Sequence, residues 1–221
     1  YETALREANI PYISNNKGTL FECQEIQDLI ALLEVLYTPY NNLSLATILR
    51  SPIFQCSNDS LLKLADRISD NKDKSWYNAL QNYMDVDEWP VELTIAAKLL
   101  TQWSALIGKL PIHDLLDKIF FEAKLFEQYD AAVPAHFRNR VKSNLTQFLS
   151  LALDIDSGRF PSLGRFIAKL HSLIQNNASP DETTGIDSVG NVRILTIHGA
   201  KGLEAPVVFL ADSANRKKEK S

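Results

Sequence analysis

The sequence has 221 residues, 45% hydrophobic and 23% charged, with 23 Lys and Arg against 27 Asp and Glu, a net charge of −4. That is globular composition, enough for one large domain or two small ones, and it is less basic than a free-standing nucleic-acid binder, so any DNA contact must be a local groove or lie mainly elsewhere. Cys23 and Cys56 have no second Cys or His at metal spacing, which argues against a disulfide scaffold or zinc site and fits a reducing cytoplasm; no apolar run reaches membrane-spanning length and no signal peptide opens the chain.

Residue 1 is Tyr, not Met, and the sequence is read as a cut-out of a longer polypeptide. In chain order, residues 1–8 form a short helical piece ended by Asn9-Ile10-Pro11, because the residue before a proline is pushed out of the helical region. Residues 12–13 read as a brief strand, 15–18 as a turn and 19–21 as a second strand. A helix is predicted over 24–37, with Ile26, Leu29, Ile30, Leu33 and Leu36 as its apolar stripe and Glu22 and Glu25 at its positive end. Ser44 is the expected cap for a helix over 45–50, which Pro52 stops. Ser57, Asn58 and Asp59 offer caps for the next helix, whose inner side is Leu61, Leu64, Ala65 and Ile68.

After a polar connection at 69–75, residues 76–84 read as helical and 85–90 as an acidic turn. Longer amphipathic helices follow. One covers 91–110, with Leu93, Ala96, Ala97, Leu100, Trp103 and Ile107 inward. Another starts at Pro111, with the stripe Ile112, Leu115, Leu116, Ile119, Phe120, Ala123 and Phe126. A third opens at Pro134 and is broken by Asp156-Ser157-Gly158, and a further one starts at Pro161. Nothing in this stretch forms a catalytic constellation. His113, His136 and His171 are far apart and read as surface or core residues. The basic runs Arg138, Arg140, Lys142 and Arg165, Lys169 read as solvated faces by default, with a duplex-phosphate contact as the alternative. Residues 176–191 are a polar return linker, and the tail after 210 is polar and loose.

The chemistry-bearing stretch lies at 192–210. Val192, Ile194 and Ile197, and then Val207 to Leu210, suit strands buried on both faces, as in a parallel sheet. Between them Thr196, His198, Lys201 and Glu204 bring a hydroxyl, an imidazole, an ammonium and a carboxylate into nine residues, while Gly199 and Gly202 allow a sharp turn close to a ligand. The end of a buried strand is the usual place for a ligand in an α/β sheet. The string Thr-x-His-x-x-Lys-Gly-Leu-Glu, followed by Pro-Val-Val-Phe, resembles motif V of superfamily 1 DNA helicases of the UvrD, Rep, PcrA, RecB and AddA kind. Two further strings agree. The opening "ALREANIPY" with the later "EIQDLIALLEVL" resembles the way the second RecA-like domain of these helicases runs into its insertion. Leu49-Arg50-Ser51-Pro52-Ile53-Phe54 resembles the AddA and RecB nuclease–helicases more than UvrD or Rep, which usually carry Asn-x-Pro-x-Arg there.

The resemblance implies a mainly α chain with a small α/β part: part of a RecA-like second motor domain at 1–38 and 186–221, interrupted by an inserted helical domain at 39–185. It implies that Thr196, His198 and Lys201 lie at the DNA strand and that Gly202 and Glu204 face the nucleotide. ATP and Mg2+ are the implied cofactors of the whole protein. The implied partners are single-stranded or duplex DNA and a nuclease–helicase partner subunit, in the cytoplasm and without a membrane. The chain carries no Gly-x-x-x-x-Gly-Lys-Ser/Thr phosphate loop and no Asp-Glu pair after an apolar strand, so the piece alone is expected to hydrolyse nothing. The alternative is a stand-alone helical interaction module in which the motif V match is accidental.

Overall fold

The computed structural model describes residues 4–5, 8, 10, 12–14, 19–70, 75–82, 89–155, 162–176, 192–194, 200–201 and 204–210. The chain is mainly helical and divides into two compact units. The first joins the two ends of the sequence, Tyr1–Asn16 with Gly190–Ser221; the second is Lys17–Val189.

In the first unit, a helical turn closes where Ala8 donates to the Ala4 carbonyl at 3.0 Å, and Ile10 to that of Leu5 at 2.9 Å. Strand β1 (Tyr12–Ser14) then pairs in parallel with β2 (Val192–Ile194), in the register Tyr12 to Val192, Ile13 to Arg193 and Ser14 to Ile194. A parallel pair cannot be closed by a tight turn and needs a long crossover. Residues 15–191 are that crossover.

The second unit is a helical bundle. It opens with a 3-10 turn at Leu20–Glu22 where a strand over 19–21 is expected. The reason is local: Thr19 and Glu22 form a capping box, in which the Thr19 amide donates to the Glu22 carboxylate at 3.1 Å. Helix α1 (Gln24–Tyr37) runs over the predicted span. Ile26, Leu29, Leu32, Leu33 and Val35 on it are fully buried. It packs against α2 (Asn42–Arg50) and several later helices, so the contacts assign residues 17–37 to the helical unit rather than to the sheet piece.

Helix α2 begins at Asn42, with the Asn41 side chain accepting from the Ser44 amide at 3.1 Å. Asn41 is therefore the cap expected of Ser44. Ser51 ends α2 in extended geometry just ahead of Pro52. Helix α3 (Asn58–Asp70) takes its cap from Ser57, whose hydroxyl accepts from the Ser60 amide at 3.1 Å. Helix α4 (Trp76–Asn82) is short.

Helix α5 (Val91–Ser104) stops six residues before the end of the predicted 91–110 helix, and the following turns include Gly108 at φ 75°. The single helix expected from Pro111 through Phe126 is two, α6 (Ile112–Glu122) and α7 (Leu125–Ala132), because Lys124 takes a left-handed conformation at φ 49°. The apolar stripe survives the break: Phe120 and Phe126 meet edge-to-face at 5.6 Å. Helix α8 (Ala135–Asp154) follows Pro134 as predicted. Helix α9 (Leu163–Gln175) is capped by Ser162, which accepts from the Arg165 amide at 3.4 Å. Trp103, Phe148 and Phe166 are among the largest fully buried side chains. Each buried side chain of this kind is worth about 1.5–3 kcal/mol, so the bundle holds a core of its own without a metal.

Candidate nucleic-acid and nucleotide turn

Strand β2 leads the chain into the stretch singled out by its chemistry. Val192 and Ile194 are β-branched, which suits the pleated ladder with β1. Thr196 and His198 lie outside the described residues, as does Gly202. Ala200 and Lys201 form part of a turn, and the Lys201 side chain is exposed. Glu204 is exposed as well. Neither Lys201 nor Glu204 has a hydrogen-bond or ion-pair partner among the described residues. The structure therefore places two of the five singled-out side chains, both open to solvent and both free to meet an outside ligand.

The strand expected over 207–210 is absent. Val207, Val208, Phe209 and Leu210 are in no ladder and are 68%, 72%, 89% and 76% exposed. A strand buried on both faces needs neighbouring strands and covering helices. The only ladder among the described residues has two strands, and 207–210 has no partner in it.

Sequence reasoning missed a buried polar set in the helical unit. Glu25 and Asp28 project from the first two turns of α1 into the core, 6% and 1% exposed. Asn144 of α8 donates to Glu25 at 2.8 Å. The Tyr129 hydroxyl of α7 donates to Asp28 at 2.7 Å, and the Gln24 amide donates to its other oxygen at 2.8 Å. Burial pushes the Asp28 carboxyl above its ordinary range, the bonds from Tyr129 and Gln24 pull it down, and the neighbouring Glu25 pushes it up. Burial, with Asp28 beside it, also raises the Tyr129 phenol. A signal was present, since positions 25, 28, 29 and 32 lie on one side of a 3.6-residue helix. The partners, more than a hundred residues away, were not visible.

The same pattern recurs elsewhere in this unit. Glu34 of α1 accepts from Ser44 of α2 at 2.7 Å and pairs with His171 of α9 at 3.1 Å, tying three helices together. The Trp103 indole donates to Glu122 at 2.8 Å, which Lys118 also reaches at 2.6 Å. Arg138 sits 3.7 Å from Asp130, and Arg140 lies over the Phe137 ring at 4.9 Å. Neither Cys23 nor Cys56 is in a disulfide, and burial with Glu92 nearby pushes Cys56 up to about 12, which makes it inert. Among the described residues no three His, Cys, Asp or Glu side chains converge to hold a metal ion, and no helix is long and apolar enough to cross a membrane.

The sequence of this chain has counterparts among known proteins. The family model of the UvrD-like helicase C-terminal domain matches residues 1–218. The chain belongs to this family. Among curated relatives, this UvrD-like domain is 31% identical over 217 residues to an ATP-dependent helicase/nuclease subunit of Latilactobacillus sakei, covering 94% of the chain and 24% of that protein. It is 29% identical over 216 residues to the protein of the same name from Listeria monocytogenes, covering 95% of the chain and 17% of the relative. With that of Enterococcus faecalis the identity is 28% over 214 residues, or 94% and 16% of the two lengths. The chain thus spans a quarter or less of the curated relatives it matches.

Proposed function

We propose that this chain is part of an ATP-dependent DNA helicase of the AddA helicase/nuclease type, acting in DNA repair and recombination in the cytoplasm. One observation supports this above the others: the family match over residues 1–218 includes the Thr196–Glu204 string, which follows strand β2 in sequence. On this reading the first unit is part of the second RecA-like motor domain and the helical unit is its insertion. Thr196 and His198 meet the DNA strand, the hydroxyl donating to a phosphate and the imidazole hydrogen-bonding or stacking. Lys201, exposed beside them in sequence, adds positive charge at the phosphates.

ATP fits the turn at its nucleoside end. The open Glu204 carboxylate is a good acceptor for ribose hydroxyls, and a glycine at 202 permits close approach of the backbone. Bound ATP would supply the free energy of phosphoryl transfer that drives motor closure. The sequence carries no phosphate loop, so the groups that hold the triphosphate and Mg2+ are sought in the rest of the full-length protein, and the chain by itself is expected to turn over no ATP. A partner subunit completes the helicase–nuclease, in keeping with the name of the relatives.

The test is made in the full-length protein. His198→Ala and Glu204→Ala are each expected to lower the rate of unwinding of a forked duplex at least tenfold while the protein stays folded. Wild-type unwinding by both variants would remove these residues from the site.

A further inference from the structure

The C-terminal end of α1, the turn after it and the first turn of α2 present three large side chains to solvent: Tyr37, Tyr40 and Leu43, at 59%, 71% and 80% exposure. Tyr37 and Tyr40 are close together in sequence and open, in a unit where Phe21, Phe54, Trp103, Phe148 and Phe166 are buried and Phe121, at 83%, is another exposed ring. Tyr37 also reaches α9. Its ring lies against the backbone of Gly164 in the first turn of α9, where an added Cβ would come within 2.7 Å of the ring's Cζ and Oη. The tyrosine ring therefore lies beside the start of α9, next in sequence to Arg165.

The surroundings are cationic. Arg165 and Lys169 stand one helical turn apart on the exposed side of α9, with the small Ala168 between them and the Gly164 position. Like charges at this spacing repel, and neither side chain meets a carboxylate among the described residues. The glutamate one turn before Tyr37, Glu34, is already engaged by Ser44 and His171. In a chain with 27 acidic residues, the stretches 35–58 and 157–180 contain none. Exposed rings beside unneutralised cations match the chemistry of an unpaired nucleic-acid strand, which offers bases to stack and phosphates to neutralise.

We propose that Tyr37 and Tyr40, with Arg165 and Lys169, form a stacking platform for single-stranded nucleic acid on the helical unit, separate from the motif V turn. The tyrosines take the bases and the two cations the backbone phosphates. Leu43 extends the apolar ledge. The choice of partner rests on the nucleic-acid reading above; the platform itself does not depend on Thr196 or His198.

The test is fluorescence anisotropy of a labelled twenty-nucleotide oligo-dT titrated with the 221-residue chain at low salt. The parent chain is expected to bind. Tyr37→Ala with Tyr40→Ala should weaken binding at least tenfold, the two Phe replacements should restore it to within twofold, and Arg165→Gln with Lys169→Gln should weaken it and flatten its salt dependence. A blunt duplex of the same length should bind at least fivefold more weakly than the single strand. Thr196→Ala with His198→Ala separates the two readings: loss of unwinding in the full-length protein with oligo-dT binding by the chain intact supports the platform. No binding by the parent chain, binding within twofold after the Tyr-to-Ala changes, or binding abolished only by the Thr196 and His198 changes would overturn it.

Discussion

In the helical unit the carboxylates of Glu25, Asp28, Glu34 and Glu122 each accept from a donor on another helix. In the sheet-and-turn unit, Lys201 and Glu204 stand exposed with no partner among the described residues. Residues of similar chemistry therefore serve opposite ends. Where a charge is satisfied within the chain, removing its partner strands a buried group and costs stability. Where a charge is left open, removing it costs the fold little and falls on whatever binds from outside. The contrast separates internally satisfied charges from open ones more sharply than residue type does.

Five measurements would break or sharpen this contrast. Trp103→Ala should have the largest effect on stability, about 3–5 kcal/mol, because it empties a fully buried site and takes the indole from Glu122; chemical denaturation reads it directly. Tyr129→Phe should cost about 1.5–3 kcal/mol by leaving the Asp28 carboxylate short of a donor. If Tyr129→Phe proves neutral, the buried set is not holding α1 to α7.

The third measurement uses pH. Asp28 has its proton affinity raised by folding above the ordinary value of 3.8. The unfolded chain therefore releases this proton first. Its contribution is fully present below 3.8 and is lost as the pH rises through the folded value. Glu92 and Glu122 run the other way, held below the ordinary 4.5 first by bonds from Ser60 and Lys118 respectively, and their contribution is lost as the pH falls. Asp28→Asn should flatten the fall in melting temperature above pH 4 and leave the acid limb unchanged. A fall in melting temperature as steep as that of the parent chain would mean Asp28 is not the group responsible.

The smallest effects on stability are expected at the turn and at the α9 glycine. Lys201→Ala and Glu204→Ala should each stay within about 0.5 kcal/mol of the parent chain, and a larger loss would show that these charges have partners inside the fold. Gly164→Ala gains about 0.8–1.0 kcal/mol of helix propensity and must swing the Tyr37 ring aside. The net change in stability should be under about 1 kcal/mol, with a change in Tyr37 accessibility to iodination as the readout.

The sequence made the helices legible where local signals agreed. The α1 span followed from its stripe, and the Ser57 cap and the stop at Pro52 followed from residue chemistry. Errors arose where two local signals competed. Thr19-Leu-Phe-Glu22 carries a capping-box pattern as well as strand-forming residues, and the box won. The break at Lys124 was hidden because the apolar period continues across it, and a lysine gives no warning of a left-handed conformation. Ser44 is the cap the sequence suggests, and Asn41 takes that place, which leaves the Ser44 hydroxyl to reach Glu34. The family was readable because the residues that carry the resemblance at 196–204 are contiguous. The buried polar set was not, because Asp28 and Tyr129 meet only after the chain has folded back on itself.

The parallel pairing of β1 with β2 has a consequence for biogenesis. Tyr12–Ser14 leaves the ribosome long before Val192–Ile194 exists, on the order of ten seconds or more at ordinary elongation rates. Until then β1 is an unpaired edge, while the intervening helices can already collapse through local contacts. The ladder is therefore the last piece of this segment to form, after nearly all of its residues have been synthesised.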